Sequence, residues 1–253
     1  MPKILDGTVA LVTGASSGIG EATARALAAQ GARIALVARR GDRLAALAVE
    51  IGNGGTQAVA VEADITDAAQ ARDAVEKTVV QFGRLDTVVN SAGLMLLGPI
   101  VGADASEWRR MLDINVAGLM FVTNAALPHL LRAASGEPRH VADLINISSV
   151  AGRFARTGAG AYNASKFAVN AFTESLRQEV TKRQLRVCVI EPGYVETELR
   201  SHNRPEIIEQ TASALAPHPL QASDIADAIA YVVTRAAHVA INEILIRPTE
   251  QER

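Results

Sequence analysis

The sequence predicts an α/β protein: a single doubly wound, mostly parallel sheet of about seven strands with helices on both faces. Three observations lead there. Short apolar runs of strand length, such as Thr8 to Val12, Arg33 to Ala38 and Leu185 to Ile190, alternate with longer amphipathic stretches. The first run passes through Gly14, Gly18 and Gly20 into the helix-like segment EATARALAAQ, and such a strand, glycine turn and helix suits a pyrophosphate at a helix N-terminus. The 253 residues are 49% apolar, enough to bury a sizeable core in one domain over 1–253.

Composition narrows the function classes. A net charge of −2, a pI of about 6.2 and no long basic block argue against nucleic-acid or membrane-surface partners. Cys188, the one cysteine, lies in the apolar run RVCVI; it reads as a core thiol and excludes disulfides within the chain and cysteine-rich metal sites. Neither the histidines nor the carboxylates form a ligand-like cluster, so no metal is expected. The N-terminus lacks a signal-like pattern, and no run of about 18 apolar residues is present to cross a bilayer. The expectation is a soluble, cytoplasmic protein.

In chain order, a third strand spans Gln57 to Glu62 and ends at Asp64-Ile65, with Thr66 or Asp67 capping the next helix. Asp86 to Val89 is the fourth strand, followed by Asn90-Ser91-Ala92-Gly93. Leu94 to Ile100 is too apolar for an ordinary exposed loop and reads either as the lining of a substrate pocket or as a core plug. Met111 to Leu131 is apolar on most of a helix's faces, interrupted late by Pro128, and needs burial on several sides. Asn115 within it requires hydrogen-bond partners. Ala133 to His140 is a turn-rich link to the strand Leu144 to Ile147. Tyr194 to about Pro219 is irregular and proline-punctuated, as a lid over a substrate would be. Its Arg200, His202 and Arg204, with Arg153 and Arg156 upstream, are either an anion clamp or solvated charges. A helix from Ala222 to Thr234 and a strand over Ile241 to Thr249 close the chain.

The chemistry concentrates around the fifth strand. Ser149 stands at the strand's end, and Tyr162 and Lys166 share one face of the following helix, one turn apart. An ordinary tyrosine, with a pKa of about 10, is almost wholly protonated at neutral pH. A lysine cation about 5 Å away at an effective dielectric near 20 favours the phenolate by roughly 3 kcal/mol, about two pKa units, while burial opposes it. The net expectation is a tyrosine able to exchange a proton with an alcohol or carbonyl oxygen, and a Ser149 hydroxyl bonded to that same oxygen. After the second strand, Arg39 and Arg40 stand where a dinucleotide fold meets the adenosine ribose. Arginine there offers a 2′-phosphate bidentate donors, which favours NADP(H).

Ser149, Tyr162 and Lys166 in this order and spacing, with TGASSGIG at Thr13 to Gly20, resemble the short-chain dehydrogenase/reductase family over nearly the whole chain. The resemblance implies a Rossmann-type fold and hydride exchange between NADP(H) and a small carbonyl or alcohol substrate. It implies cofactor contacts from Gly14, Ser16, Ser17, Gly18, Ile19 and Gly20, with Ser17 or Ser16 helping to hold the phosphate. Arg39 occupies the position at which NAD-using relatives carry aspartate. Asp64 and Ile65 would meet the adenine, and Asn90, Ala92 and Gly93 would approach the cofactor, although relatives usually carry a second asparagine where this chain has Ser91. Pro192, Gly193, Val195 and Thr197 would hold the carboxamide, and Tyr162 and Lys166 the ribose. Asn115 would hold a water linking Lys166 to solvent. Relatives pair through the long apolar helix and the Tyr162 helix, which implies a homodimer or homotetramer. The chain lacks the family's frequent Val-Asp-Gly-Gly ending. Its MLLGP, LPHLLR and VIEPG segments are instead similar to the subgroup of serine 3-dehydrogenases and clavulanic acid (clavaldehyde) dehydrogenase, hinting at a carboxylate-bearing substrate. Two alternatives stay open: a 3-hydroxy acid (serine-type) dehydrogenase, and a dinucleotide sensor without catalysis.

Overall fold

A computed structural model describes residues 3–210 and 218–252. The strands β1 (Val9–Thr13), β2 (Arg33–Ala38), β3 (Ala58–Glu62), β4 (Thr87–Asn90), β5 (Ala142–Ile147), β6 (Leu185–Pro192) and β7 (Glu243–Ile246) form one parallel sheet. Its order is β3-β2-β1-β4-β5-β6-β7. The order reverses between β1 and β4, and there a crevice opens at the strands' C-terminal ends, the usual ligand position in such sheets.

Side chains alternate across the sheet because successive residues of a strand point to opposite faces. Val9, Leu11, Ala35 and Val37 join α3 (Ala68–Phe82), α5 (Leu119–Ala134) and α6 (Gly160–Val180) in one buried layer. Ala10, Val12, Ile34 and Leu36 join α1 (Gly18–Ala29), α2 (Gly41–Asn53) and α8 (Ala222–Val233) in the other. Cys188 belongs to this second layer, where burial pushes its thiol up to about 12. The helix caps follow simple chemistry: Asp67 accepts the Ala69 and Gln70 N–H groups at the start of α3, and Gly83 ends that helix in the left-handed conformation.

The long apolar helix differs from expectation at both ends. It begins at Asp104, whose carboxylate caps α4 (Ala105–Leu112), and continues through a π-helical turn at Asp113–Gly118 into α5, running past Pro128 to Ala134. The polar start ASEWRRML hid its first two turns. Within residues 105–134 an 18-residue window reaches a mean hydropathy of 1.4, enough for a membrane span by length and composition alone. Here Val122, Ala126 and Leu130 instead face the sheet and α3. The last strand is shorter than read, and α7 (Pro205–Gln210) lies within the lid stretch, of which residues 211–217 fall outside the described residues.

Candidate active site

A cavity of about 860 Å³ lies over the C-terminal ends of β1, β2, β4, β5 and β6. At one end the glycine turn leaves β1. Gly14, at φ +67, lies so close to β4 that a Cβ would come 2.8 Å from the Ala92 backbone, and Gly18, at φ +56, faces the Thr197 methyl. No side chain caps α1, so its first N–H groups remain available to a ligand. Gly20 does not line the cavity; a Cβ there would meet the Gly14 carbonyl at 2.4 Å, so its work is to close the turn.

Beside this turn, Arg40 donates to Ser16 Oγ (3.0 Å) and Ser17 Oγ (2.6 Å), and to Glu198 at 2.8 Å. Arg39 is exposed at the cavity edge. Glu198 also receives Arg43 at 2.7 Å, and the hydrogen bonds from Arg43 and Arg40 hold its carboxyl down at about 2. Asp64, Ile65, Ala92 and Gly93 line the next section. One Asp64 oxygen accepts from the Thr66 backbone and hydroxyl. Asn90 lies apart from the lining, and its side-chain amide donates to Thr123 and Asn146 beneath the sheet.

At the other end, β5 delivers Ser149 and α6 delivers Tyr162 and Lys166 to one wall. Ser149 Oγ donates to the Pro192 carbonyl (3.3 Å) and accepts the Ala151 N–H (3.1 Å), and it is hydrogen-bonded with the Tyr162 phenol. Tyr162 is buried with Leu94, Leu96 and Met111 in a small apolar cluster. Lys166 donates to the Ile147 carbonyl at 2.9 Å and lies 5.8 Å from the centre of the Tyr162 ring. Burial therefore dominates both groups: it pushes the phenol up to about 12, against the Ser149 hydrogen bond, and the ammonium down to about 8. The expected lowering of the phenol by the lysine is not seen, because the ammonium is aimed at a backbone carbonyl within an apolar surround.

Asn115 is buried within the π-helical turn, away from the cavity lining. Its amide accepts the Leu94 N–H (2.7 Å) and donates to the Leu94 carbonyl (2.8 Å) and to Ser165 Oγ (3.1 Å). No hydrogen bond joins it to Lys166 among the described residues. The Leu94–Ile100 stretch serves both roles left open for it: Leu94, Met95 and Leu97 line the cavity, while Leu96 packs into the core with Met111.

The far wall comes from β6 and the segment after it. Pro192, Gly193, Val195 and Thr197 all line it, and Thr197 caps the short 3-10 helix Glu198–His202. Of the five cations considered for an anion clamp, Arg156, Arg200 and His202 line the cavity, and burial lowers His202. Arg153 is taken by the buried Glu191 and by Glu243, and Arg204 leans toward Glu107 and Glu206, both outside the lining. Sequence reasoning missed Arg110, Glu198, Asn203 and Gln251. Asn203 accepts the Leu97 N–H at 2.6 Å, and Gln251 accepts the Tyr194 N–H at 2.8 Å. No local pattern announces such contacts, because each joins segments distant in the chain.

Comparison with known proteins gives the family and the fold. Residues 8–207 match the family model described as short chain dehydrogenase. The chain is 38% identical over 240 residues to an uncharacterised oxidoreductase of Staphylococcus epidermidis, covering 95% of this chain and 96% of the relative. Among solved structures it superimposes on a serine dehydrogenase in its closed form with NADP+ (TM-score 0.88, 30% identity, 97% of each chain). It also superimposes on an alcohol dehydrogenase of the archaeon Thermococcus sibiricus complexed with 5-hydroxy-NADP (TM-score 0.85, 27% identity, 97% of this chain and 98% of that one). With the sheet order, the glycine turn and the Ser149, Tyr162 and Lys166 wall already drawn, the full-length match means that this chain belongs to the short-chain dehydrogenase family.

Proposed function

We propose that the chain is an NADP(H)-dependent oxidoreductase that interconverts an alcohol and a ketone or aldehyde. The observation that carries this reading is a single cavity with phosphate-binding chemistry at one end and a buried Ser149, Tyr162 and Lys166 wall at the other. The residues fit the cofactor: the Arg40 guanidinium and two serine hydroxyls gather beside the uncapped start of α1, with Arg39 at the cavity edge, a donor set suited to phosphate esters. When bound, the nicotinamide gives or takes the hydride.

This chain's residues manage the oxygen. Ser149 holds the carbonyl oxygen beside the phenol, and Tyr162 O–H supplies its proton. Held up at about 12 by burial, Tyr162 stands protonated at neutral pH, ready to donate to the more basic alkoxide that forms as a carbonyl is reduced. Lys166 ties α6 to the Ile147 carbonyl at the end of β5, and Leu94, Leu96 and Met111 keep water from the Tyr162 ring. Asn115 fixes the Leu94 backbone in that wall.

A second reading, oxidation of a 3-hydroxy acid of serine type, draws on the likeness to a serine dehydrogenase and on Arg110, Arg156 and Arg200 in the cavity lining. A homodimer or homotetramer belongs to the same proposal, supported by Phe167 of α6 and Leu112 of α4, each more than 40% exposed. The test is loss of NADPH absorbance across aldehydes and ketones presented with and without a carboxylate. Turnover abolished in Tyr162→Phe supports the mechanism, and a Tyr162→Phe protein as active as the parent overturns it. Rates confined to carboxylate-bearing members favour the second reading.

A further inference from the structure

All three nitrogens of Arg40 have a partner within the chain. Its Nε reaches Ser16, one terminal nitrogen reaches Ser17, and the other reaches Glu198. The serine hydroxyls can stay beside a phosphate, since each has a proton to donate to it. The Glu198 carboxylate cannot. It bears only acceptors, and a phosphate monoester carrying close to two negative charges would repel it across the same guanidinium. Glu198 has somewhere else to go, because Arg43, two residues into α2, already holds its second oxygen at 2.7 Å.

The geometry points to Glu198 as the residue that sets the balance between the two nicotinamide nucleotides: its carboxylate occupies Arg40 in place of a 2′-phosphate and must be displaced toward Arg43 for NADP(H) to bind. This inference rests on the NADP(H) reading above and deepens it. NAD(H), which lacks the 2′-phosphate, leaves the Glu198 pairs intact, so Glu198 handicaps one nucleotide only. Thr197, which lines the cavity as its neighbour, caps the 3-10 helix that carries Glu198. The cap thereby fixes the backbone from which the carboxylate projects.

The experiment is titration of the full chain with NADPH and with NADH, followed by nucleotide fluorescence, for the parent, Glu198→Gln and Glu196→Gln. Glu196 is an exposed carboxylate two positions away that accepts from Gln221, so its variant makes the same change of net charge without touching Arg40. Glu198→Gln is expected to tighten NADPH about 3- to 10-fold, the gain of freeing one charge-assisted contact, with NADH within twofold and Glu196→Gln unchanged. An unaltered NADPH affinity, an equal gain for NADH, or the same gain in Glu196→Gln would overturn the assignment while leaving the cofactor reading intact. A parent chain that binds neither nucleotide would overturn both.

Discussion

Replacing Asn115 by alanine separates two roles for this residue, a water-holding relay and a structural pin. The side chain is 1% exposed and serves three partners. Ser165 Oγ keeps its bond to the Tyr162 carbonyl, 2.7 Å, when the amide is removed. Among the described residues the Leu94 N–H and C=O have no such second partner, and both are stranded in a buried position. At about 1–3 kcal/mol for each orphaned group, the loss is about 2–6 kcal/mol. For a domain of this size each kcal/mol lowers Tm by about 2–4 °C, so the nucleotide-free variant should melt roughly 5–20 °C below the parent. Thermal unfolding followed by circular dichroism at fixed pH and salt measures it. A pure relay would lower turnover and leave Tm within about 2 °C, and that result would refute the pinning argument.

Further outcomes follow from the same geometry. Tyr162→Phe should cut turnover by about 10²- to 10⁴-fold, the usual worth of a positioned proton donor, while NADPH binding persists; subtracting its ultraviolet pH titration from the parent's should reveal a phenol that ionises only as pH nears 12. Because that folded value lies above the ordinary 10, stability tied to this phenol is complete below pH 10 and declines as pH rises toward 12. Arg39→Asp should weaken NADPH by about 1–3 kcal/mol per lost charge-assisted contact and spare NADH; an equal loss for both nucleotides in a fluorescence titration would count against it. Arg186→Met should cost about 3–5 kcal/mol by urea unfolding, because Arg186 pairs with the fully buried Asp143 at 2.7 Å and donates to the Val233, Arg235, Ala236 and Val239 carbonyls; the remaining Arg139 pair to Asp143 places the loss near the lower figure.

The parts of this molecule legible in the sequence are those in which a residue's neighbours in the chain are also its partners. Strands β1, β2 and β6 announced themselves because burial on both faces demands continuous apolar runs. Gly14 and Gly18 announced the turn because only a glycine tolerates those positive φ values at low cost. Tyr162 and Lys166 share a wall through helical spacing alone. What local pattern could not show was direction. Asn90 sits at a strand end near the cavity, yet its amide turns under the sheet to Asn146, 56 residues away. The lysine was expected to govern the tyrosine, but the Ile147 carbonyl captures its ammonium, and an apolar patch assembled from three segments sets the pKa instead. Arg40 was read as a free donor, and its partner Glu198 lies 158 residues on.

The buried amides of β4 and β5 do more than fill space. Asn90 and Asn146 stand opposite each other in the parallel pairing, Asn90 donates to Asn146 and to Thr123 of α5, and Asn146 donates to Thr173 of α6. A slip of one residue between the strands would turn these groups toward the other face, into hydrocarbon, at about 1–3 kcal/mol for each one left unpaired. An all-aliphatic pair of strands would tolerate several alignments, whereas this one has a single alignment in which the amides and both threonines find each other. The strip thus works as a key cut into the centre of the sheet, selecting the alignment that brings Gly93 on one strand's end and Ser149 on the other's to the same cavity.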